Sequence, residues 1–320
     1  MDLTELTQMA ADDLGLLFAG HIGRAGMDSR LLRRSYAVGD LVRVARGVYI
    51  EARRWRDLAA VGRHCVLIAA SVDRDGDTVL SHHSAAALWG IPILGAWPTR
   101  VQSTMPRSGG GRSGVAVARH DGVVDDPLRA PSGYLVTSVA RTVIDIARTA
   151  GFAAGVVAMD HAIHVDSRTG FSRATREEIE AVARRMMPFR GSRLVGAVMG
   201  FANGLSDSPG ESLSRVQIMR LGFPAPVLQH VFRDAFGRII VDFWWPDFNL
   251  AGEFDGVAKY HRVEYLAGRT VETVVTEEKH REDRLRRLGP RVARWDWDAA
   301  HQRAPLALIL EQAGLPRGIR

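Results

Sequence analysis

The sequence predicts an α+β multidomain protein, and three observations lead to that class. The chain has 320 residues, against roughly 100–200 for a single domain. Its N-terminal segment switches from helical apolar spacing to strict alternation. Its C-terminal segment gives a helix, three strands, a helix, a strand and a helix. Apolar residues make up 46% and charged residues 24%, so ordinary cores can be buried and disorder is not expected. The predicted segments are residues 1–55, 56–195 and 196–320.

In the first segment, LTELTQMAADDLGLLFAG has the apolar spacing of a helix. Gly26 breaks the pattern, and Asp28 or Ser29 caps a second helix, SRLLRRSYAVG. LVRVARGVYI then alternates apolar and polar residues, with Arg46-Gly47 as its turn. Helix, turn, helix and a two-stranded wing is the order of a winged helix-turn-helix domain. The second helix carries Arg30, Arg33 and Arg34, and the wing carries Arg43 and Arg46. Polar side chains on a recognition helix meet base edges, and cations on a wing meet phosphates. The plain alternative is a solvated basic helix beside a hairpin.

The middle segment mixes helices and strands as an α/β domain. HSAAALWG reads as a helix capped at or near Ser81, and RATREEIEAVARRMM as an amphipathic helix. PRSGGGRSGVAVARH begins as a loop and ends as a strand; no Gly-Lys-Ser/Thr follows its glycines, so it is not a phosphate-binding P-loop. His82 and His83 are adjacent and their side chains diverge, which suits them poorly to sharing a metal. His161 and His164, with Asp160, have helical spacing; a partly exposed helix face explains them more simply than a metal site.

Composition narrows the function. No stretch reaches the roughly 18 consecutive apolar residues of a membrane span. MDLTELTQMAADD lacks the basic and apolar regions of a secretory signal. Cys65 is the only cysteine, which excludes a disulfide framework and a cysteine-rich zinc site. A cytoplasmic protein without a membrane partner is expected. The net charge is +6 and the pI about 10.0, with lysine only at Lys259 and Lys279. Arginine suits bidentate contact with phosphate, although a GC-rich genome produces the same bias.

The C-terminal segment carries the chemistry. SPGESLSRVQIMRLGF reads as a helix with Glu211 near its start and Gly222 closing it. VLQHVF, IIVDFWW and LAGEFDG read as strands, TEEKHREDRLRRLG as a helix, VARWDW as a strand and PLALILEQAG as a last helix. Asp242 and Glu253 then lie on neighbouring antiparallel strands, and a short turn brings their carboxylates to one end of the sheet. Such oxygens suit Mg2+ or Mn2+, which activates water and stabilises charge on a phosphodiester. Glu211 joins directly or through water, and a lysine positions the attacking water or neutralises transition-state charge. Trp244, Trp245, Trp295 and Trp297 read as packing rather than base-stacking residues. His261 and His280 suit a proton-carrying role, but exposed structural histidines explain them more simply. Arg281, Arg284, Arg286 and Arg287 spread around their helix, part solvated and part available to phosphate.

Two resemblances sharpen these readings. GHIGRAGMDSRLLRRSYAVGDLVRVARGVYI resembles the N-terminal winged-helix domain of the AbiEi family, the antitoxins and transcriptional autoregulators of type IV toxin–antitoxin systems. The likeness continues through LSHHSAAALWGIP and VTSVARTVIDIAR, over roughly the first half of the chain. It implies DNA as one partner and a cognate toxin as another. The last segment resembles the PD-(D/E)XK nuclease superfamily, and within it the small Vsr-like endonuclease domains. The matching elements are Glu211, VDF with Asp242, GEFDG with Glu253 and Asp255, and the later EKHRED, LRRLG and VARW stretches. The resemblance implies Glu211, Asp242 and Glu253 as catalytic residues.

One departure stands out. The superfamily pattern Glu-x-Lys would put lysine at 255, where this chain has Asp255. Lys259, in DGVAKYH, or Lys279, in EEKHRED beside Glu278 and Glu282, takes its place. Asp255 is either a further metal ligand with Asp242 and Glu253 or, with Gly256, a turn. Two principal functions stay open: a DNA-binding protein with a metal-dependent endonuclease domain, and an antitoxin or repressor with an inactive nuclease fold. Cleavage of RNA rather than DNA is a third, since phosphate contacts do not distinguish the strand type.

Overall fold

The computed structural model of the protein describes residues 3–26, 28–106, 116–124, 126–256 and 280–318. It is a mixed α/β chain with several sheets. It divides into two compact units: residues 1–149 with 177–189, and residues 150–176 with 190–320. This division differs from the three segments drawn from sequence. The first segment and most of the middle one condense together, while residues 150–176 and 190–195 belong with the C-terminal segment.

The first unit opens with α1 (Leu3–Ala10), β1 (Leu16–Phe18), α2 (Ala19–Arg24), α3 (Arg30–Ala37), β2 (Leu41–Ala45) and β3 (Val48–Glu51). The sheet order is β1-β3-β2, with both pairings antiparallel. The stretch expected as one helical run is broken by β1. The Asp12 carboxylate accepts the Leu14 and Leu16 N–H groups at 3.0 and 2.7 Å, and Gly15 turns the chain at φ +83°. These local bonds outbid helix continuation. Asp28, not Ser29, supplies the side-chain bond at the start of α3, through the Arg30 N–H at 2.8 Å. Arg46-Gly47 is the hairpin turn, with Gly47 at φ +74°. Leu6, Leu17, Ile22, Leu32, Leu41 and Tyr49 form the core beneath α3.

The chain continues through α4 (Ala52–Asp57), α5 (Ala60–Ser71), α6 (His82–Trp89), β4 (Val101–Met105), β5 (Val117–Asp121), β6 (Leu128–Arg129), β7 (Leu135–Val136) and α7 (Val139–Ala150). β4 and β5 are parallel. Val66 of α5 packs with Val48 and Ile50 behind the hairpin, and Ile68 packs with Leu80, Val101 and Val136. α5 therefore has the hairpin on one flank and the second core on the other.

The second unit contains α8 (Phe152–Ile163), α10 (Ser192–Phe201) and α11 (Pro209–Arg220); α9 (Arg176–Met186) precedes α10 and belongs almost wholly to the first unit. Next come β8 (Val227–Asp234), β9 (Gly237–Trp245), β10 (Leu250–Phe254), helix α12 (280–287), β11 (Arg291–Trp295), α13 (Trp297–His301) and α14 (Arg303–Gln312). The sheet runs β11-β10-β9-β8; β8–β9 and β9–β10 are antiparallel and β10–β11 is parallel. Among the described residues, the predicted helix, three strands, helix, strand and helix follow in order. α13 is an addition that begins at Trp297, read from sequence as the end of a strand, and the first residues of the predicted helix TEEKHREDRLRRLG lie outside the described residues.

Two glycines let α11 and the sheet meet. A Cβ on Gly210 would lie 2.1 Å from the Phe254 ring, and one on Gly252 would lie 2.7 Å from Trp295. Trp295 Nε1 donates to Ser214 Oγ of α11 at 2.8 Å. On the other face, Leu285 of α12 packs against Ile239, Val241, Trp244 and Ala251. Of the four tryptophans assigned to packing, Trp244, Trp245 and Trp295 are buried and Trp297 is half-buried.

Candidate functional site

The first candidate site is basic. Leu32 and Ser35 are the buried residues of α3, so the helix turns its arginines to solvent. Arg30, Arg33 and Arg34 are exposed, as are Arg43 on β2 and Arg46 in the hairpin turn. The Arg43 guanidinium lies 5.8 Å from the ring centre of exposed Tyr36. A carboxylate, Asp28, approaches Arg34 at 3.7 Å with both side chains well exposed, a contact that solvent and salt largely screen.

The second candidate site lies in the other unit and is acidic. Ser208 caps α11: its Oγ accepts the Glu211 N–H at 3.2 Å and donates to Glu211 Oε1 at 2.7 Å. The Asp207 N–H and Gln229 Nε2 donate to Glu211 Oε2 at 2.9 and 3.1 Å. Glu211 is buried, and its carboxyl is pushed up to about 7, first by that burial and next by the Asp242 charge. Asp242 Oδ2 accepts the Phe254 N–H at 2.8 Å, just beyond the paired residues Phe243 and Gly252.

Glu253 is held differently. Both Nη atoms of Arg281 contact its Oε1, at 2.6 and 2.7 Å, and Arg294 Nη2 contacts Oε2 at 2.7 Å. Arg294 is the parallel partner of Glu253 on β11, and its Nη1 also reaches Glu282 at 3.3 Å. The structure thus brings Glu211 and Asp242 together and gives Glu253 to two arginines. The expected set of Asp242, Glu253 and Asp255 is not assembled: among the described residues, no group of three or more His, Cys, Asp or Glu is arranged to hold a metal. Asp255 follows the end of β10, where its N–H donates to the Trp295 carbonyl at 2.8 Å. Lys259, Lys279, Glu278 and His261 lie outside the described residues. His280 is exposed. Of the α12 arginines, Arg284 pairs with Asp234 at 2.6 Å and Arg286 with Glu282 at 2.5 Å.

A divalent ion is still compatible with Glu211 and Asp242. Two neighbouring carboxylates, one holding its proton to about 7, form a locus where added positive charge would favour full ionisation. Gln229 and Arg294 were not anticipated from sequence. The available signal was register: once the strands are aligned, Arg294 must stand beside Glu253.

The other polar groups singled out have structural partners. Asp160 is fully buried, pairs with Arg215 at 2.7 Å and accepts the Asn203 N–H at 2.7 Å; His164 Nδ1 bonds the Gly204 carbonyl at 2.9 Å. His82 and His83 do diverge. His83 Nδ1 meets Gln102 at 3.0 Å. His82 stacks on His120 at 3.7 Å and meets Ser81 Oγ at 2.9 Å. Burial, followed by nearby positive groups, lowers His82 to about 2, so it stays neutral.

These observations define a mixed α/β protein with a basic surface in one unit and an acidic pair in the other. Among known proteins, it is similar to two uncharacterized proteins of Mycobacterium tuberculosis, from strains CDC 1551 / Oshkosh and ATCC 25618 / H37Rv. Each is 29% identical over 270 residues, covering 80% of this chain and 92% of the relative. A crystal structure of another Mycobacterium tuberculosis protein matches with TM-score 0.36 and 15% identity, over 66% of this chain and 78% of that one. No family model matches. No helix among the described residues is long and apolar enough to cross a membrane.

Proposed function

We propose that this is a cytoplasmic DNA-binding protein whose second unit is a nuclease-type domain hydrolysing phosphodiesters with Mg2+ or Mn2+. The observation that carries the reading is the exposed arginine set Arg30, Arg33, Arg34, Arg43 and Arg46 on a helix and an adjoining hairpin. A winged helix with this distribution meets both base edges and phosphates. Binding to duplex DNA should weaken steeply with salt, because neutralised phosphates release counterions. Arg33→Ala with Arg34→Ala should weaken it further and reduce the salt slope by about two, read by fluorescence anisotropy. A double variant that binds like the parent at every salt concentration removes this face from the function.

Hydrolysis rests on the neighbouring carboxylates Glu211 and Asp242. Bound there, Mg2+ would supply charge stabilisation and an activated water. Asp242→Asn keeps the side-chain shape and removes charge, so it should abolish divalent-dependent cleavage while DNA binding persists. Equal cleavage by parent and Asp242→Asn would exclude this site. Oligonucleotide substrates of DNA and RNA distinguish the strand type.

A second reading is favoured by the arginines on Glu253. A nuclease-type fold whose acidic group is neutralised internally suits a repressor or antitoxin of AbiEi type, with a toxin as partner. Specific promoter binding without cleavage of any substrate would establish that reading over the first.

A further inference from the structure

A cleft of about 410 Å3 in the first unit is not used by either candidate site. Its floor is one face of α5: Ala60, Arg63, His64 and Leu67 line it, at the i, i+3, i+4 and i+7 spacing that sets residues on one side of a helix. Trp55 and Trp97 line it as well, and Val44 of β2 contributes from the hairpin. Clefts of roughly 300–1,000 Å3 with apolar walls and few polar groups are typical of small-ligand sites.

Each indole is braced by one of two consecutive residues. Arg63 Nε donates to the Trp55 carbonyl at 3.1 Å, its Nη2 donates to the Arg56 carbonyl at 3.1 Å, and its guanidinium carbon lies 5.6 Å from the Trp55 ring centre. The His64 ring lies 5.4 Å from Trp97. His64 Nδ1 faces the Pro98 carbonyl at 3.0 Å, so that nitrogen carries the proton. Its Nε2 therefore accepts from the Ser84 hydroxyl at 2.9 Å, and Ser84 Oγ in turn accepts the Gln102 N–H at 2.8 Å. His64 is thus a fixed neutral wall, and burial lowers its pKa. The chain has built a rigid aromatic cleft, and ligand binding would not have to order these walls.

The electrostatics select the occupant. No carboxylate lines the cleft among the described residues. Arg63 supplies the positive charge, and among the described residues no acceptor takes its Nη1 N–H groups. Flat aromatic faces favour a planar ring, and an unopposed guanidinium favours a carboxylate or similar anion. We propose that this cleft is a binding site for a small planar aromatic anion, with Trp55 and Trp97 contacting the ring and Arg63 the charged group.

Three probes separate the components on the full-length protein by calorimetry and tryptophan quenching, independently of DNA. They are 2-naphthoate, its neutral counterpart 2-naphthamide, and the non-planar cyclohexanecarboxylate. One-site saturation by 2-naphthoate is expected, with 2-naphthamide weaker by about tenfold and cyclohexanecarboxylate weaker by at least about tenfold. Arg63→Gln should erase the preference for naphthoate over naphthamide, and Arg63→Lys should retain it. Val44→Trp, which fills the cleft from the hairpin strand, should abolish binding with an unchanged melting temperature. Absence of saturable naphthoate binding overturns the proposal. So does equal binding of cyclohexanecarboxylate, or a charge preference that survives Arg63→Gln. If Val44→Trp lowers the melting temperature, the Arg63 pair alone decides.

Discussion

Glu211 combines two demands that pull against each other. Four hydrogen bonds tie it to the start of α11 and to β8, while burial and Asp242 disfavour its charge. Its folded pKa of about 7 lies above the ordinary glutamate value of about 4.5, so between those pH values the folded protein binds a proton that the unfolded chain does not. Its stabilising contribution is therefore complete below about 4.5 and is lost as pH rises through 7. Over that window the loss is about 3 kcal/mol at most. Glu211→Gln should flatten this part of the stability profile, measured by urea denaturation from pH 5 to 8. Mn2+ should raise the parent's melting temperature more at pH 8 than at pH 5.5, since only the ionised carboxylate binds it, and the variant should lose that difference. Asp160 presents the opposite case, a buried carboxylate kept for structure. Asp160→Ala strands Arg215 without its charge partner. A loss of about 3–5 kcal/mol is expected, visible as a lower urea midpoint; a loss below about 1 kcal/mol would mean that Arg215 escapes to solvent.

The elements of the second unit show which features sequence makes legible. Apart from the short α13, the order from α11 to α14 follows from period and punctuation: alternation in IIVDFWW, the asparagine turn at Asn249 with φ +44°, and Gly289 after α12 at φ +105°. Glu211, Asp242 and Glu253 were assigned to the right elements by the same reasoning. Their partners were not, because pairing depends on register and on which face each helix covers. Glu253 on β10 stands beside Arg294 of β11, and α12 brings Arg281 onto the same carboxylate. Neither contact has a local signature. β1 escaped for a related reason: LGLLFAG satisfies helical spacing, but Asp12 and Gly15 end α1 ahead of it. The close approach of α11 to β10 is equally non-local and gives an element-scale prediction. Gly210→Ala would drive a methyl group into the Phe254 ring. Overpacking of this kind costs about 1–3 kcal/mol, and near-ultraviolet circular dichroism should register the displaced Trp295 and Trp297 environment. An unchanged spectrum and unchanged stability would mean that α11 can retreat from the sheet freely.

For the molecule as a whole, the decisive feature is that its compact units are not contiguous in sequence. Residues 150–176 fold with 190–320, and residues 177–189 fold with the first unit. Local patterns gave a boundary near 195, which falls inside α10 (Ser192–Phe201), whereas the core follows α8. That helix packs against both α10 and α11 and is apolar along most of its length, with Val156, Val157, Met159 and Ala162 buried. A fragment of residues 196–320 would therefore keep the whole four-stranded sheet yet expose the side of α11 that α8 covers. It would also remove Asp160 from Arg215 and the Asn203 N–H. Exposed apolar side chains cost about 25 cal/mol per Å2, and the orphaned buried arginine adds about 3–5 kcal/mol. Together these approach the whole stability of an ordinary domain, about 5–15 kcal/mol. Residues 150–320 should accordingly unfold in one cooperative thermal transition. Residues 196–320 should give a broad transition with strong binding of a hydrophobic dye. Circular dichroism melts of the two fragments at equal concentration make the comparison. A sharp transition for residues 196–320 at the same temperature would show that the sheet and α11 stand without α8, and that the sequence-drawn boundary describes an autonomous domain.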